Sequence, residues 1–182
     1  MTSKTTRDPE GRKRAIVAAA ADLIIDLGLN GVTHRKVAAK AGVPLGSTTQ
    51  YFATLDDLLA EALATLAEAM EAEMATLVDD LQTSTDRPRT IARELAAYLS
   101  DKDRVRAETA FYVANLENPK LAALTTQWYD GLVEHLSKYV DPTAARAVAT
   151  YSDGVVLQAL RGTAPNEDEM TAAIRRLMEG TK

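Results

Sequence analysis

The sequence predicts an all-α fold of about nine helices. The chain is rich in alanine and contains only two phenylalanines. Runs of β-branched residues are few, and apolar residues recur at helical spacing over most of the length. We find no convincing strand pattern and no internal repeat. A length of 182 residues suits one domain, or a small module joined to a larger one.

Three helices are predicted in the N-terminal third. The segment 1–9 is expected to be disordered, and Gly28 is expected to end the first helix. A capping hydroxyl at Thr33 predicts the start of a second helix. Pro44 predicts the start of a third, because the first helical turn does not use the N–H that proline lacks. The predicted ranges are about 9 or 10 to 27, eight residues ending before Gly42, and 45–51.

Six further helices are predicted in the rest of the chain. Thr54 can cap a long helix, and Asp141 provides a cap followed by a proline at the first helical position. Asn166, with Glu169 three residues later, forms a capping-box pattern for the last helix. The predicted ranges are about 55–81, 88–100, 103–116, 119–140, 142–160 and 167–179.

Charge is divided unevenly along the chain. The 21 lysines and arginines and 26 acidic residues give a net charge of -5, which argues weakly against a nucleic-acid partner. Residues 1–54 hold eight of the bases and four of the acids, a net +4, so residues 55–182 carry -9. A basic segment favours an anionic partner, with chance clustering as the alternative. We predict two domains, 1–54 and 55–182.

Composition excludes several classes of protein. The chain has no cysteine and only two histidines, so thiolate chemistry is excluded and a metal centre is not expected. No nucleophile–base pair or phosphate loop indicates an enzyme, and no cofactor is expected. No apolar run approaches the roughly 20 residues of a membrane span, and no signal peptide is recognisable. These features predict a cytoplasmic protein that does not bind a membrane.

Residues 33–52 are the most informative segment. Two short helices flank a turn at 41–44, where Gly42 permits a positive φ. Small neutral side chains on the second helix, preceded by Arg35 and Lys36, are typical of a recognition helix in the DNA major groove. A helical corner without a nucleic-acid role is the alternative. The predicted inward side chains are Val37, Ala38, Ala41, Val43, Thr48 and Phe52, and the outward ones are Leu45, Gly46, Ser47, Gln50 and Tyr51.

The string GVTHRKVAAKAGVPLGSTTQYF at 31–52, followed by LDDLL, resembles the DNA-binding head of the TetR family of transcriptional regulators. The resemblance covers roughly residues 10–60. It implies a phosphate contact from Thr33, a base or phosphate contact from Arg35, and an adenine contact from Gln50. The implied DNA-binding residues are Thr33, His34, Arg35, Lys36, Leu45, Gly46, Ser47, Thr49, Gln50 and Tyr51.

The sequence departs from the family pattern at several phosphate-binding positions. Thr49 replaces a usual tyrosine, Tyr51 replaces a common histidine, and Leu55 replaces a usual lysine. Fewer cations lower the affinity that does not depend on sequence. We therefore expect compensation from the basic residues Arg12, Lys13 and Arg14, or from the arm at 4–7.

The last two predicted helices suit a dimer face. Small residues interleave with valines over 142–160, and an apolar stripe follows over 167–179. The resemblance implies a four-helix bundle with a second copy, and hence a pseudo-palindromic double-stranded DNA operator. A purely intramolecular core is the alternative. The predicted dimer residues are Val148, Ser152, Val155, Val156, Ala159, Met170, Ile174 and Leu177.

The middle helices suit a small-molecule site, because apolar stripes there carry a few polar groups. The resemblance implies an inducer pocket among these helices. The predicted ligand-binding residues are Tyr98, Glu108, Phe111, Tyr112, Asn115, Gln127, Trp128 and Tyr151. Core packing is the alternative for Trp128, a solvated or ion-paired acid for Glu108, and the dimer seam for Tyr151.

The sequence thus predicts a homodimeric, ligand-responsive regulator. A repressor released from DNA by a small, largely apolar effector fits the resemblance best. The alternatives are an activator, a regulator controlled by a protein partner, and a helical small-molecule binder that does not bind DNA.

Overall fold

The computed structural model describes residues 8–117 and 122–179, with the side chains of 115–128 outside the described part. Within these ranges the chain forms nine α-helices and no strand, which confirms the all-α class. The helices are α1 (Pro9–Leu27), α2 (His34–Ala41), α3 (Leu45–Tyr51), α4 (Leu55–Thr83), α5 (Arg87–Ser100), α6 (Lys102–Glu117), α7 (Ala122–Leu136), α8 (Pro142–Leu160) and α9 (Glu167–Glu179).

The chain divides into two compact units, an N-terminal unit (Met1–Leu66) and a C-terminal unit (Ala67–Lys182). The boundary falls within α4, whereas the charge division at 54 placed it before that helix. The reason lies in the first turns of α4, where Leu58 and Leu63 are fully buried. In addition, Glu61 of α4 accepts a hydrogen bond from Lys13 of α1 at 2.7 Å. These residues therefore belong to the core of the N-terminal unit.

Local side-chain caps define most helix starts as the sequence predicts. The backbone N–H of Lys36 donates to Oγ1 of Thr33 at 3.2 Å. At α9, the N–H of Glu169 donates to Oδ1 of Asn166 at 3.0 Å, and the N–H of Asn166 donates to Oε2 of Glu169 at 2.8 Å. This reciprocal pair confirms the predicted capping box.

Two local features differ from the prediction. A 3₁₀ turn at Leu29–Gly31 follows α1, where the sequence predicted only a helix end. The predicted helix 119–140 ends as α7 at Leu136, because the N–H of Tyr139 bonds to the carbonyl oxygen of Leu136 and tightens the chain into a turn. The start of that prediction, 119–121, lies outside the described residues, as do residues 1–7 of the predicted disordered segment 1–9. The last two residues of that segment are ordered, because Asp8 caps α1 and Pro9 begins it.

Each unit has its own apolar core. In the N-terminal unit, Ile16, Ile24 and Val37 are fully buried with the first turns of α4. In the C-terminal unit, helices α5, α7, α8 and α9 bury a cluster that includes Leu136 and Val148. None of the described helices is long and apolar enough to cross a membrane.

Candidate DNA-binding surface and small-molecule cavity

A tight turn joins α2 to α3 and positions the candidate recognition helix. Gly42 adopts a φ of 66°, a left-handed conformation that favours glycine. The N–H of Val43 then donates to the carbonyl oxygen of Ala38 at 3.0 Å, which closes the end of α2. Thr48 is completely buried, and its hydroxyl donates to the carbonyl oxygen of Leu45 at 2.8 Å. The short helix α3 is therefore fixed by backbone and core contacts, while its other face remains exposed.

The predicted outward face of α3 is confirmed at three of its five residues, and Ser47 and Tyr51 are the exceptions. Leu45 is 51% exposed, and Gly46, Thr49 and Gln50 are also exposed. Ser47, predicted to read bases, is only 9% exposed. Ser47 is buried because side chains four residues apart lie on the same face of a helix, and position 47 shares its face with the half-buried Tyr51. Positions 45, 46, 49 and 50 face outward, whereas positions 47, 48, 51 and 52 face the core or its edge.

On α2 and its cap, Thr33, Arg35 and Lys36 are exposed. His34 and Tyr51 are half-buried, and Nδ1 of His34 is buried without a described partner. Thr33 and Arg35 are thus accessible without rearrangement, whereas the ammonium of Lys36 donates to the carbonyl oxygen of Gly31 at 2.7 Å and would have to leave it.

Several cations of the N-terminal unit are engaged within the protein. Lys13 pairs with Glu61 at 2.7 Å, and its ammonium lies 5.6 Å from the ring centroid of Phe52. The hydrogen bond that Lys13 donates to Glu61 raises the pKa of Lys13. Lys40 pairs with Asp22 and Asp26 at 3.3 and 3.2 Å. The expected role of Lys13 in compensating for lost phosphate contacts would therefore require breaking an existing ion pair.

The arginines of this unit differ from the lysines. Among the described residues, Arg12, Arg14 and Arg35 are exposed, and no ion pair engages them. Guanidinium groups bind phosphate and guanine in bidentate geometry. These three side chains are the cations best placed to contact an anionic partner.

A cavity of about 90 Å³ lies in the C-terminal unit, among α4, α5, α6, α7 and α8. Two predicted ligand-binding residues, Tyr98 and Glu108, line it. Its described lining is half apolar and half polar or charged, and consists of Glu73, Met74, Leu77, Ile91, Glu94, Leu95, Tyr98, Arg104, Glu108, Leu132, Ser152 and Val156. The α4 residues of this lining were not predicted from the sequence, although Glu73 and Leu77 are four apart on one helix face.

Glu108 is a buried acid held by two phenols. Its side chain is 4% exposed, so the alternative of a solvated acid is wrong. The Tyr98 hydroxyl donates to Oε2 at 2.7 Å, and the Tyr112 hydroxyl donates to Oε1 at 3.3 Å. Burial raises the pKa of Glu108 to about 7. Burial and the adjacent carboxyl group also raise the pKa of both tyrosines, which remain protonated donors.

The remaining predicted ligand-binding residues do not gather at this cavity in the described structure. Phe111 is buried in the core and is not among the described lining residues. Tyr112 reaches the cavity only through Glu108, and Tyr151 packs against the core cluster. The side chains of Asn115, Gln127 and Trp128 lie outside the described residues.

The predicted dimer residues mostly face the interior of their own chain. Val148, Val155, Met170 and Ile174 belong to the core cluster of the C-terminal unit, and Ser152 and Val156 line the cavity. Ala159 and Leu177 are half-buried. Six of the eight predicted dimer residues are therefore buried within their own chain, and the position of a dimer face stays a prediction. The most apolar stripe of α8 packs against neighbouring helices, whereas Leu157 and Leu160 on its other side are 49% and 47% exposed.

Both units match known protein families. Residues 16–62 match the family described as bacterial regulatory proteins, tetR family, and residues 86–180 match the tetracyclin repressor-like C-terminal domain. The HTH-type transcriptional regulator BetI of Burkholderia thailandensis is 27% identical over 150 residues, which cover 78% of this chain and 75% of BetI.

Solved structures match over nearly the whole chain. A TetR-family member, SCO1917 of Streptomyces coelicolor A3, is 36% identical with a TM-score of 0.81, covering 92% of this chain and 98% of that one. The multidrug binding protein EbrR complexed with ethidium is 36% identical with a TM-score of 0.79, covering 92% and 98%.

Proposed function

The chain belongs to the TetR family of transcriptional regulators, with a DNA-binding head and a ligand-binding domain, and we propose that it is a homodimeric repressor of a pseudo-palindromic operator. It is a regulator and not an enzyme. The observation that supports operator binding by this surface is the exposed neutral face of α3 next to the exposed Arg35. The described geometry supports base contacts from Gln50 and Leu45, with Ser47 contributing through its backbone or after a side-chain shift.

Selection of operators from random or genomic duplexes tests this proposal. We expect the selected sites to contain two inverted half-sites whose centres lie roughly 34–36 Å apart, or a multiple of that distance. Recovery of no preferred sequence would contradict the proposal, and recovery of a single half-site would contradict the dimer.

We expect Arg35→Ala to weaken binding to a selected operator by about 5- to 150-fold, because a bidentate base contact or a phosphate contact is lost. Titrations at several salt concentrations separate these two roles, since loss of a phosphate contact lowers the salt slope by about one. Arg106→Ala is the matched control, because Arg106 is an exposed arginine of the C-terminal unit that pairs with Asp103 at 3.4 Å. Equal affinity of wild type and Arg35→Ala would remove Arg35 from the interface.

Gly46→Ala should change stability and DNA binding in opposite directions. A Cβ added at Gly46 would meet no described heavy atom within 4 Å, so nothing inside the protein requires glycine there. Alanine should raise the unfolding free energy by about 0.5–1 kcal/mol through helix propensity. It should weaken operator binding if the backbone of α3 approaches DNA closely.

Denaturant unfolding and operator titration measure the two effects. Gly131→Ala on α7 is the control, because its added Cβ also has open space. That variant should gain stability and leave operator affinity unchanged. An unchanged or tighter operator complex for Gly46→Ala would show that DNA does not need the missing side chain.

A second copy would bind through the exposed side of α8. Leu157 and Leu160 are among the few large apolar side chains exposed in the described structure. Their burial in a dimer would remove apolar area from water, which favours association. The regulators of this family form dimers, which supports the proposal.

The cavity would receive the small-molecule effector. Glu73, Met74 and Leu77 bring α4 to its wall, and the first turns of the same helix belong to the core of the N-terminal unit. An effector that binds one arrangement of α4 more tightly would shift the population of that arrangement. Release from DNA then requires that the arrangement preferred by the effector fits the operator less well.

A further inference from the structure

The cavity has an excess of acidic groups. Its described lining includes three carboxylates, Glu73, Glu94 and Glu108, and one guanidinium, Arg104. Two of the carboxylates have arginine partners. Glu73 lies 3.2 Å from Nε of Arg104, and Glu94 lies 2.9 Å from Nη2 of Arg93.

Glu108 is the exception. Among the described residues, no lysine, arginine or histidine pairs with it, and its two partners are neutral hydroxyls. A second carboxyl group, Asp153 of α8, shares Tyr112 with Glu108, and burial raises the pKa of Asp153 as well. A buried carboxylate without a cation is unfavourable, so the group is stable either with a proton or beside a positive charge supplied from outside.

We propose that Glu108 is the counter-ion of a lipophilic, singly charged cationic effector, and that it releases a proton to solvent when this cation binds. The inference rests on the proposed function, because it names the class of molecule that would enter the cavity. The apolar part of such a ligand would contact Met74, Leu77, Ile91, Leu95, Leu132 and Val156. Its charged group would approach the oxygens of Glu108 beside Tyr98, which also lines the cavity and whose aromatic face attracts cations.

The surroundings of Glu108 favour a cation over an anion. The groups that interact with Glu108 are Tyr98 of α5, Tyr112 of α6 and Asp153 of α8. The other charged groups that line the same cavity are Glu73 of α4, Glu94 of α5 and Arg104 of α6, and the described lining residue of α7 is Leu132. Arg104 is already paired with Glu73 and Asp101. An anionic ligand would therefore meet uncompensated negative charge, and a neutral ligand would leave the acid protonated.

The pKa of Glu108, raised to about 7 by burial, makes the exchange visible near neutral pH. Below this value the acid is mostly protonated, and a cation must displace the proton. Affinity for a cation should therefore rise with pH by up to about tenfold per unit below pH 7, and level off above it.

Ethidium is a suitable probe, because its positive charge does not titrate between pH 5.5 and 8.5 and its fluorescence reports binding to the full chain in the absence of DNA. The experiment compares wild type, Glu108→Gln and Glu134→Gln at several pH values. Glu134 is exposed on α7 and is not among the described lining residues, so it serves as the matched control. Calorimetry at pH 6 in two buffers of different ionisation enthalpy counts the protons released.

We expect wild type and Glu134→Gln to bind ethidium more tightly as the pH rises and to release close to one proton at pH 6. Glu108→Gln should bind at least about tenfold more weakly at pH 8, with no pH slope and no proton release. Equal ethidium affinity of Glu108→Gln and the wild type at pH 8 would overturn the counter-ion role. A wild-type ethidium affinity that does not change with pH would overturn the exchange of the proton for the cation.

Absence of ethidium binding to wild type at pH 8 would also overturn the inference. A cooperative urea unfolding transition of the same Glu108→Gln sample shows that the variant is folded. Operator binding of the wild type without ethidium separates this inference from the proposed function, because operator binding can persist when the cation inference fails.

Discussion

Glu108→Gln should have a higher unfolding free energy than the wild type above pH 7, and it should lack the decline in stability that the wild type shows as the pH rises from 4.5 to 7. The folded protein holds the pKa of Glu108 at about 7, against an ordinary value of 4.5. Between these values the folded state binds more protons than the unfolded state, so wild-type stability falls as the pH rises. The stabilising contribution of the protonated acid is present in full below pH 4.5 and is lost once the pH passes 7.

The size of this effect follows from the pKa difference. Each pKa unit corresponds to about 1.4 kcal/mol, so the wild type should lose roughly 3 kcal/mol from this group between its two pKa values. Glutamine resembles the protonated acid in shape and stays neutral. The variant and the wild type should thus be nearly equal at pH 5 and differ most at pH 8.

Urea unfolding at pH 5, 6, 7 and 8 measures the difference, provided that the m-value is unchanged. Glu134→Gln is again the control, because an exposed acid should leave the pH profile as it is in the wild type. If the unfolding free energy of Glu108→Gln still declines as the pH rises, the decline has another source. Asp153 is the first candidate, because burial raises its pKa too.

Leu157→Glu combined with Leu160→Glu should dissociate the dimer and abolish tight operator binding. In a two-fold dimer each substitution occurs twice, so four partly exposed leucines would be replaced by charges of the same sign. Burying a leucine side chain is worth about 1.5–3 kcal/mol. We expect the dimer dissociation constant to rise at least about a hundredfold, and operator affinity to fall with it, because a single head reads only one half-site.

Sedimentation at micromolar concentration and operator titration measure the two effects. Ala75→Glu combined with Ala97→Glu is the control, since it adds the same charge at exposed positions of α4 and α5. A double leucine variant that remains dimeric would exclude this face of α8. A wild type that is monomeric at this concentration would contradict the palindromic operator as well.

Sequence alone determined the features that depend on neighbouring residues. Gly42, Thr33 and the Asn166–Glu169 pair act within a few positions along the chain, so their turn and caps could be predicted from residue type and spacing. The exposed face of α3 was nearly correct for the same reason. Ser47 and Tyr51 were the errors there, because they lie at the edge of a face whose limits are set by the core beneath it.

Only the tertiary structure decided what depends on helices that are distant in sequence. An apolar stripe on α8 is compatible with a partner chain or with the protomer's own core, and only the packing of α5, α7 and α9 shows that it is the core. The periodicity of α6 likewise placed Glu108 on a helix without showing its surroundings. The exclusion of water gives this acid its high pKa, and the hydrogen bond from the Tyr98 hydroxyl of another helix opposes that rise only in part. Both effects arise only when the helices pack together.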